Sequence, residues 1–157
     1  MAVLTGNEVI EIATRLEESG EAFYNAAAER ATTPGVKALF RDLAVQEQYH
    51  RRAFQQMGRD RVELILSPEQ WHEFQAYTGA LLQNSFFARP ENALNRAAAA
   101  QDERSALQAA LDFEKEAILF FQELESAVRG PGQQTVERVI QEEKRHIQRL
   151  SDLLAAG

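Results

Sequence analysis

The chain has 157 residues, 45% of them hydrophobic and 26% charged, with a formal net charge of −7. That length supports one self-sufficient core, and the acidic balance argues against nucleic acid as the main partner, because phosphate binding needs concentrated Lys and Arg. The absence of cysteine excludes disulfides, thiolate zinc sites, cysteine-ligated iron–sulfur centres and thiol catalysis.

The opening Met1 to Gly6 has no basic segment followed by an apolar run, and no stretch approaches the roughly 20 apolar residues of a membrane span. A cytoplasmic protein without membrane contact is the expectation. Ala, Leu, Glu, Gln and Arg dominate the rest, which predicts helix almost throughout. A first helix is expected over 7–31. It breaks at Thr32-Thr33-Pro34-Gly35, where Thr33 is placed to cap and Pro34 to start a second helix over 34–57, with Gly58 as its stop.

Residues 58–102 read differently. Val62 to Leu66 is a short apolar patch, and Ser67-Pro68-Glu69-Gln70 has the form of a capping box. A helix through Trp71, Phe74 and Leu82 should follow, with a break at Arg89-Pro90 and a short helix over 92–101. A third long helix is expected over 103–129, ended by Gly130-Pro131-Gly132, and a fourth over 134–154. Short first and last turns make two antiparallel hairpins. The long, partly helical connection between them carries the chain back along the bundle, so the predicted fold is all-α, a four-helix bundle of two hairpins joined by one crossover.

Apolar residues three and four apart define an inward stripe on each long helix. The second runs Val36, Phe40, Leu43, Glu47, His50, Phe54, Met57, and the fourth Val136, Val139, Glu143, His146, Leu150, Leu153. The first runs Ile10, Ala13, Glu17, Gly20, Tyr24, Ala27, and the third Leu107, Ala110, Glu114, Ala117, Phe121, Leu124. Glu18, Glu21, Glu116 and Glu142 fall off these stripes and are expected to face water or the flanks. A buried, unpaired carboxylate costs several kcal/mol, and four facing one another repel. No Lys or Arg shares the stripes, so the simplest neutraliser is a pair of divalent cations held by Glu17, Glu47, His50, Glu114, Glu143 and His146. Glu47 with His50, and Glu143 with His146, share a helix face and can each grip one ion; Glu17 and Glu114 then bridge or cap the pair. The chain also repeats: Glu17 to Tyr24 aligns with Glu114 to Phe121, and each precedes its Glu-x-x-His motif by a similar interval.

These residues resemble the ferritin-like di-iron and di-manganese carboxylate proteins, whose ligand pattern is two single glutamates and two Glu-x-x-His motifs. Glu17 to Tyr24, with Gly20 and Phe23-Tyr24, looks most like the rubrerythrin branch. The resemblance implies two iron ions, or manganese, and reaction with peroxide or dioxygen supplied with electrons by an external donor. It also implies a hydrogen bond from Tyr24 to a ligand carboxylate, although a plain core aromatic is an equal reading. The chain departs from rubrerythrins proper in having no cysteines for a rubredoxin domain, and in carrying Ala117 where the family has an extra glutamate. Gln48 stands where bacterioferritins have a haem-ligating Met, so haem is not implied. Iron storage, peroxide disproportionation at manganese and a purely structural metal site remain alternatives. His72, Tyr49 and the Arg51-Arg52 and Arg59 to Arg61 charges are read as ordinary surface. Phe86-Phe87 is read as packing or interface, and exposed apolar residues in the crossover point to a homodimer.

Overall fold

The computed structural model describes residues 5–157; Met1–Leu4, on which the leader expectation partly rests, lies outside them. The order is α1 (Gly6–Arg30), α2 (Pro34–Arg59), α3 (Pro68–Gln83), a 3-10 turn (Phe86–Ala88), α4 (Pro90–Ala99), α5 (Glu103–Ala127) and α6 (Pro131–Ala156). Helix α1 packs along α2 and α5 along α6, while α4 lies on α1 and α3 on α5. This is the ferritin-like bundle with its crossover folded onto the outside.

Local chemistry sets the boundaries. Thr5 and Glu8 form a capping box on α1, and Ser67 and Gln70 form the expected one on α3. Asp102 caps α5 by accepting from the Ser105 amide at 2.7 Å. Thr33 occupies the cap position of α2, yet its side chain makes no capping bond. Glu103, on another helix, instead accepts from the Thr32 and Thr33 amides just before that helix, at 2.6 and 2.7 Å. The first hairpin turn is thereby latched to the start of the second.

Several expected boundaries move. Helix α2 runs through Gly58 to Arg59, and the left-handed residue that turns the chain is Arg61, at φ 53°. Helix α4 starts at Pro90. The third long helix, α5, ends at Ala127 rather than at 129, and α6 starts at Pro131 rather than at 134. Gly130-Pro131-Gly132 therefore starts a helix instead of only ending one: Gly130 turns at φ 68°, and Pro131 takes the first helical position that its ring favours. A Cβ on Gly132 would sit 2.7 Å from Val128 Cγ1 and 3.0 Å from Val62 Cγ1, which explains the glycine inside the first turn of α6.

All stripe residues of the four long helices are buried except Leu153. Each fully buried Phe, Leu or Val stabilises by about 1.5–3 kcal/mol, so the apolar ends of the stripes can carry a costly polar centre. Phe87 wedges the crossover onto the bundle, 5.3 Å from the Phe23 ring and 4.2 Å from the Phe113 ring. That settles Phe87 as packing; the Phe86 side chain lies outside what is described. Among the described residues, no helix is long and apolar enough to cross a membrane.

Candidate metal centre

The polar centre forms where four stripes meet. Glu17, Glu47, Glu114 and Glu143 are fully buried, and His50 and His146 are each 3% exposed. They arrange into two overlapping groups. Glu17, Glu47, His50 and Glu143 bring ligand atoms within 4.8 Å of one another, as do Glu47, Glu114, Glu143 and His146. The structure thus brings all six sequence-nominated residues together. Glu47 and Glu143 belong to both groups, and Glu17 and Glu114 to one each. The imidazoles stack across the centre, with ring centroids 5.8 Å apart and planes 19° apart.

Each histidine turns Nδ1 inward. His50 Nδ1 lies 2.9 Å from Glu143 Oε1 and 3.6 Å from Glu17 Oε2. His146 Nδ1 lies 3.1 Å from Glu143 Oε2, 3.4 Å from Glu114 Oε1 and 3.5 Å from Glu47 Oε1. The inward imidazole contacts leave several carboxylate oxygens unpartnered. Both oxygens of Glu17, both of Glu47 and Oε2 of Glu114 are buried without a hydrogen-bond partner. A buried polar group without a partner costs about 1–3 kcal/mol, and native proteins leave few such groups without a reason.

Electrostatics report the same frustration. Burial, then the charge of Glu143, pushes Glu17, Glu47 and Glu114 well above the usual carboxylate range. Burial also opposes ionisation of Glu143, but contacts from Glu114, His146 and His50 outweigh it and hold Glu143 low. At His50, burial disfavours the cation, yet Glu142 and Glu143 overcome it and raise the group to about 10. His146 is raised for the same kind of reason, with Glu114 the main carboxylate against it. These upward shifts favour holding protons in the centre where no cation neutralises it. With two divalent ions, four carboxylates and two neutral imidazoles reach charge balance without them. Oxygen and nitrogen donors in a carboxylate-rich set suit iron or manganese, so the residues fit a two-metal centre.

The surroundings contain one expected contact and one unexpected one. Tyr24 is fully buried and its hydroxyl donates to Glu114 Oε1 at 2.5 Å. Burial, then the Glu114 charge, holds that phenol protonated by raising it well above its ordinary value. Glu142, expected on a flank, instead accepts a hydrogen bond from His50 Nε2. Its neighbour Glu143 signals the position, but helical spacing alone puts Glu142 off the stripe. Glu116 accepts from Ser85 at 2.7 Å and Glu21 pairs with Arg51 at 3.2 Å, both away from the centre. Tyr49 and His72 are exposed and take no part.

Packing closes the site. Phe54 and Phe121 stack at 5.1 Å. Gly20 lets Phe113 and Glu47 approach α1, since a Cβ there would lie 2.8 Å from Phe113 Cε2 and 3.2 Å from Glu47 Cδ. A family model described as rubrerythrin matches residues 8–154. Comparison with curated proteins and with solved structures found no match.

Proposed function

The chain belongs to the rubrerythrin family, and on that premise we propose that it is a di-iron oxidoreductase that reduces hydrogen peroxide or dioxygen at the Glu17, Glu47, His50, Glu114, Glu143 and His146 centre. The observation that carries this reading is the pair of overlapping ligand groups sharing Glu47 and Glu143, with buried oxygens that no protein group satisfies. Family membership implies di-iron binding, and the buried Glu and His donors fit it.

Glu47 and Glu143 would span the two ions. Glu17 and His50 would complete one position, and Glu114 and His146 the other. Bound as Fe(II), the pair supplies two electrons, the number needed to take one peroxide to two waters with two protons. The protein's own groups position and shield. Tyr24 fixes one oxygen of Glu114. Glu142 fixes the ring of His50 and leaves Nδ1 as the inward donor. Phe54, Phe113 and Phe121 exclude bulk water from the ends of the centre. Electrons for further turnover come from an external donor, because the chain carries no cysteine for a thiolate relay.

The test is to load metal-free protein anaerobically with Fe(II), then mix separate samples with peroxide and with dioxygen while following ferric absorbance. Faster oxidation by peroxide supports a peroxidase. Faster oxidation by dioxygen, with many irons taken up per chain, favours storage. Iron that neither oxidant touches removes the oxidoreductase reading.

A further inference from the structure

The internal repeat predicts two equivalent metal positions, and the residues around the ligands break that equivalence. We infer that the position formed by Glu17 and His50 is the tighter of the two and fills first, with Glu142 as the positioning residue that makes it so. This rests on the two-metal reading above and goes beyond it.

Both positions share Glu47 and Glu143, so any difference comes from what is not shared. The imidazoles differ first. His50 presents Nδ1 to the centre and Nε2 to Glu142 Oε2. A carboxylate only accepts, so Nε2 carries the proton and the Nδ1 lone pair is left to point at the ion. A carboxylate on the outer N–H also makes the imidazole a stronger donor, and such partners are typically worth about 10–100-fold in metal affinity. In the repeat, Glu142 precedes Glu143 as Gln46 precedes Glu47. Gln46 is neutral and partly buried. Among the described residues, the hydrogen bond of His146 runs from Nδ1 to Glu143, and Nε2 has no carboxylate.

The terminal carboxylates differ in the same direction. Tyr24 takes Oε1 of Glu114 at 2.5 Å and leaves Oε2 uncommitted. The repeat counterpart of Tyr24 is Phe121, which has no hydroxyl to offer Glu17. Both Glu17 oxygens are therefore uncommitted and can meet one ion together. The Glu17–His50 position thus has a supported imidazole and two open carboxylate oxygens. The Glu114–His146 position has an unsupported imidazole and one.

The test is an anaerobic Co(II) titration of metal-free protein, followed by visible d–d absorbance and calorimetry, on wild type, Glu142→Gln and Gln46→Glu. Each substitution keeps side-chain size, and circular dichroism checks that the helices are retained. Wild type is expected to bind two ions in resolved steps. Glu142→Gln should weaken the first step by about 10–100-fold and leave the second in place. Gln46→Glu should tighten the second step and narrow the gap, which a merely structural role for these residues would not do. Two ions bound with equal affinity in wild type, or a Glu142→Gln variant that leaves both steps unchanged or weakens both alike, would overturn the inference while leaving the two-metal centre standing. No bound Co(II) in wild type would overturn both.

Discussion

Glu17→Met tests whether the centre is built for metal at the expense of the fold. Glu17 is fully buried and neither of its oxygens has a hydrogen-bond partner. Met is unbranched, of similar length and adaptable in shape, so it fills the same space without a polar atom to satisfy. Removing one unsatisfied polar group returns about 1–3 kcal/mol. For a chain of this length each kcal/mol moves the unfolding midpoint by about 2–4 °C, so the metal-free variant should melt higher by roughly 2–12 °C. The loaded proteins should show the reverse. A ligand present at 100 times its Kd stabilises by about 2.7 kcal/mol, and the variant should lose most of that gain with its Glu17 oxygens. The assay is urea and thermal unfolding by circular dichroism, once with chelator and once with Mn(II). A variant that is less stable than wild type in chelator would refute the reasoning, because Glu17 would then be a stabilising residue in its own right.

Gly20→Ala gains about 1 kcal/mol of helix propensity but places a methyl 2.8 Å from Phe113 in a closed aromatic cluster. Overpacking costs about 1–3 kcal/mol, so metal-free unfolding should show no net stabilisation, and displacement of Glu47 should weaken metal binding in a titration. Gly130→Ala puts a side chain at φ 68°, which should cost about 1–2 kcal/mol in denaturant unfolding without changing metal content. The pH dependence follows from the raised groups. A group raised in the fold stabilises below its unfolded value, and that contribution is lost as pH climbs through the folded one. For His50 the loss runs from 6.5 toward about 10, and Glu17, Glu47 and Glu114 lose theirs above the ordinary carboxylate value. Metal-free protein should therefore weaken between pH 6 and 8, by roughly 1 kcal/mol per proton per pH unit. Metal displaces those protons, so its stabilising shift should grow over the same range; a shift that shrinks with rising pH contradicts the assignment.

The stripes were legible because burial follows helical periodicity, and the polar interruptions at Glu17, Glu47, His50, Glu114, Glu143 and His146 stood out against apolar neighbours. The burial of Tyr24 was legible from the same stripe, whereas its bond to Glu114 was implied only by the family resemblance. Glu142 was not, because one residue along a helix rotates the side chain by about 100°. Its partner His50 lies on α2, a contact that the spacing on α6 cannot reveal. The membership of Glu47 and Glu143 in both groups was hidden for a similar reason. Spacing along one helix pairs Glu47 with His50, whereas packing sets His50 Nδ1 against Glu143 and Glu17 from other helices. At Gly130-Pro131-Gly132, glycine and proline announce a break, but whether they finish one helix or begin the next depends on the backbone angle at Gly130 and the space at Gly132. The latch of Glu103 on the Thr32 and Thr33 amides is a contact across 70 residues of chain or more, beyond any local signal.

The most direct measurement is anomalous diffraction at the iron edge from crystals loaded anaerobically with Fe(II). The account predicts two peaks about 3.5–4 Å apart, flanked by Glu47 and Glu143, with Glu17 and His50 at one and Glu114 and His146 at the other. A single peak, or iron bound only at surface carboxylates such as Glu18 or Glu137, would contradict it.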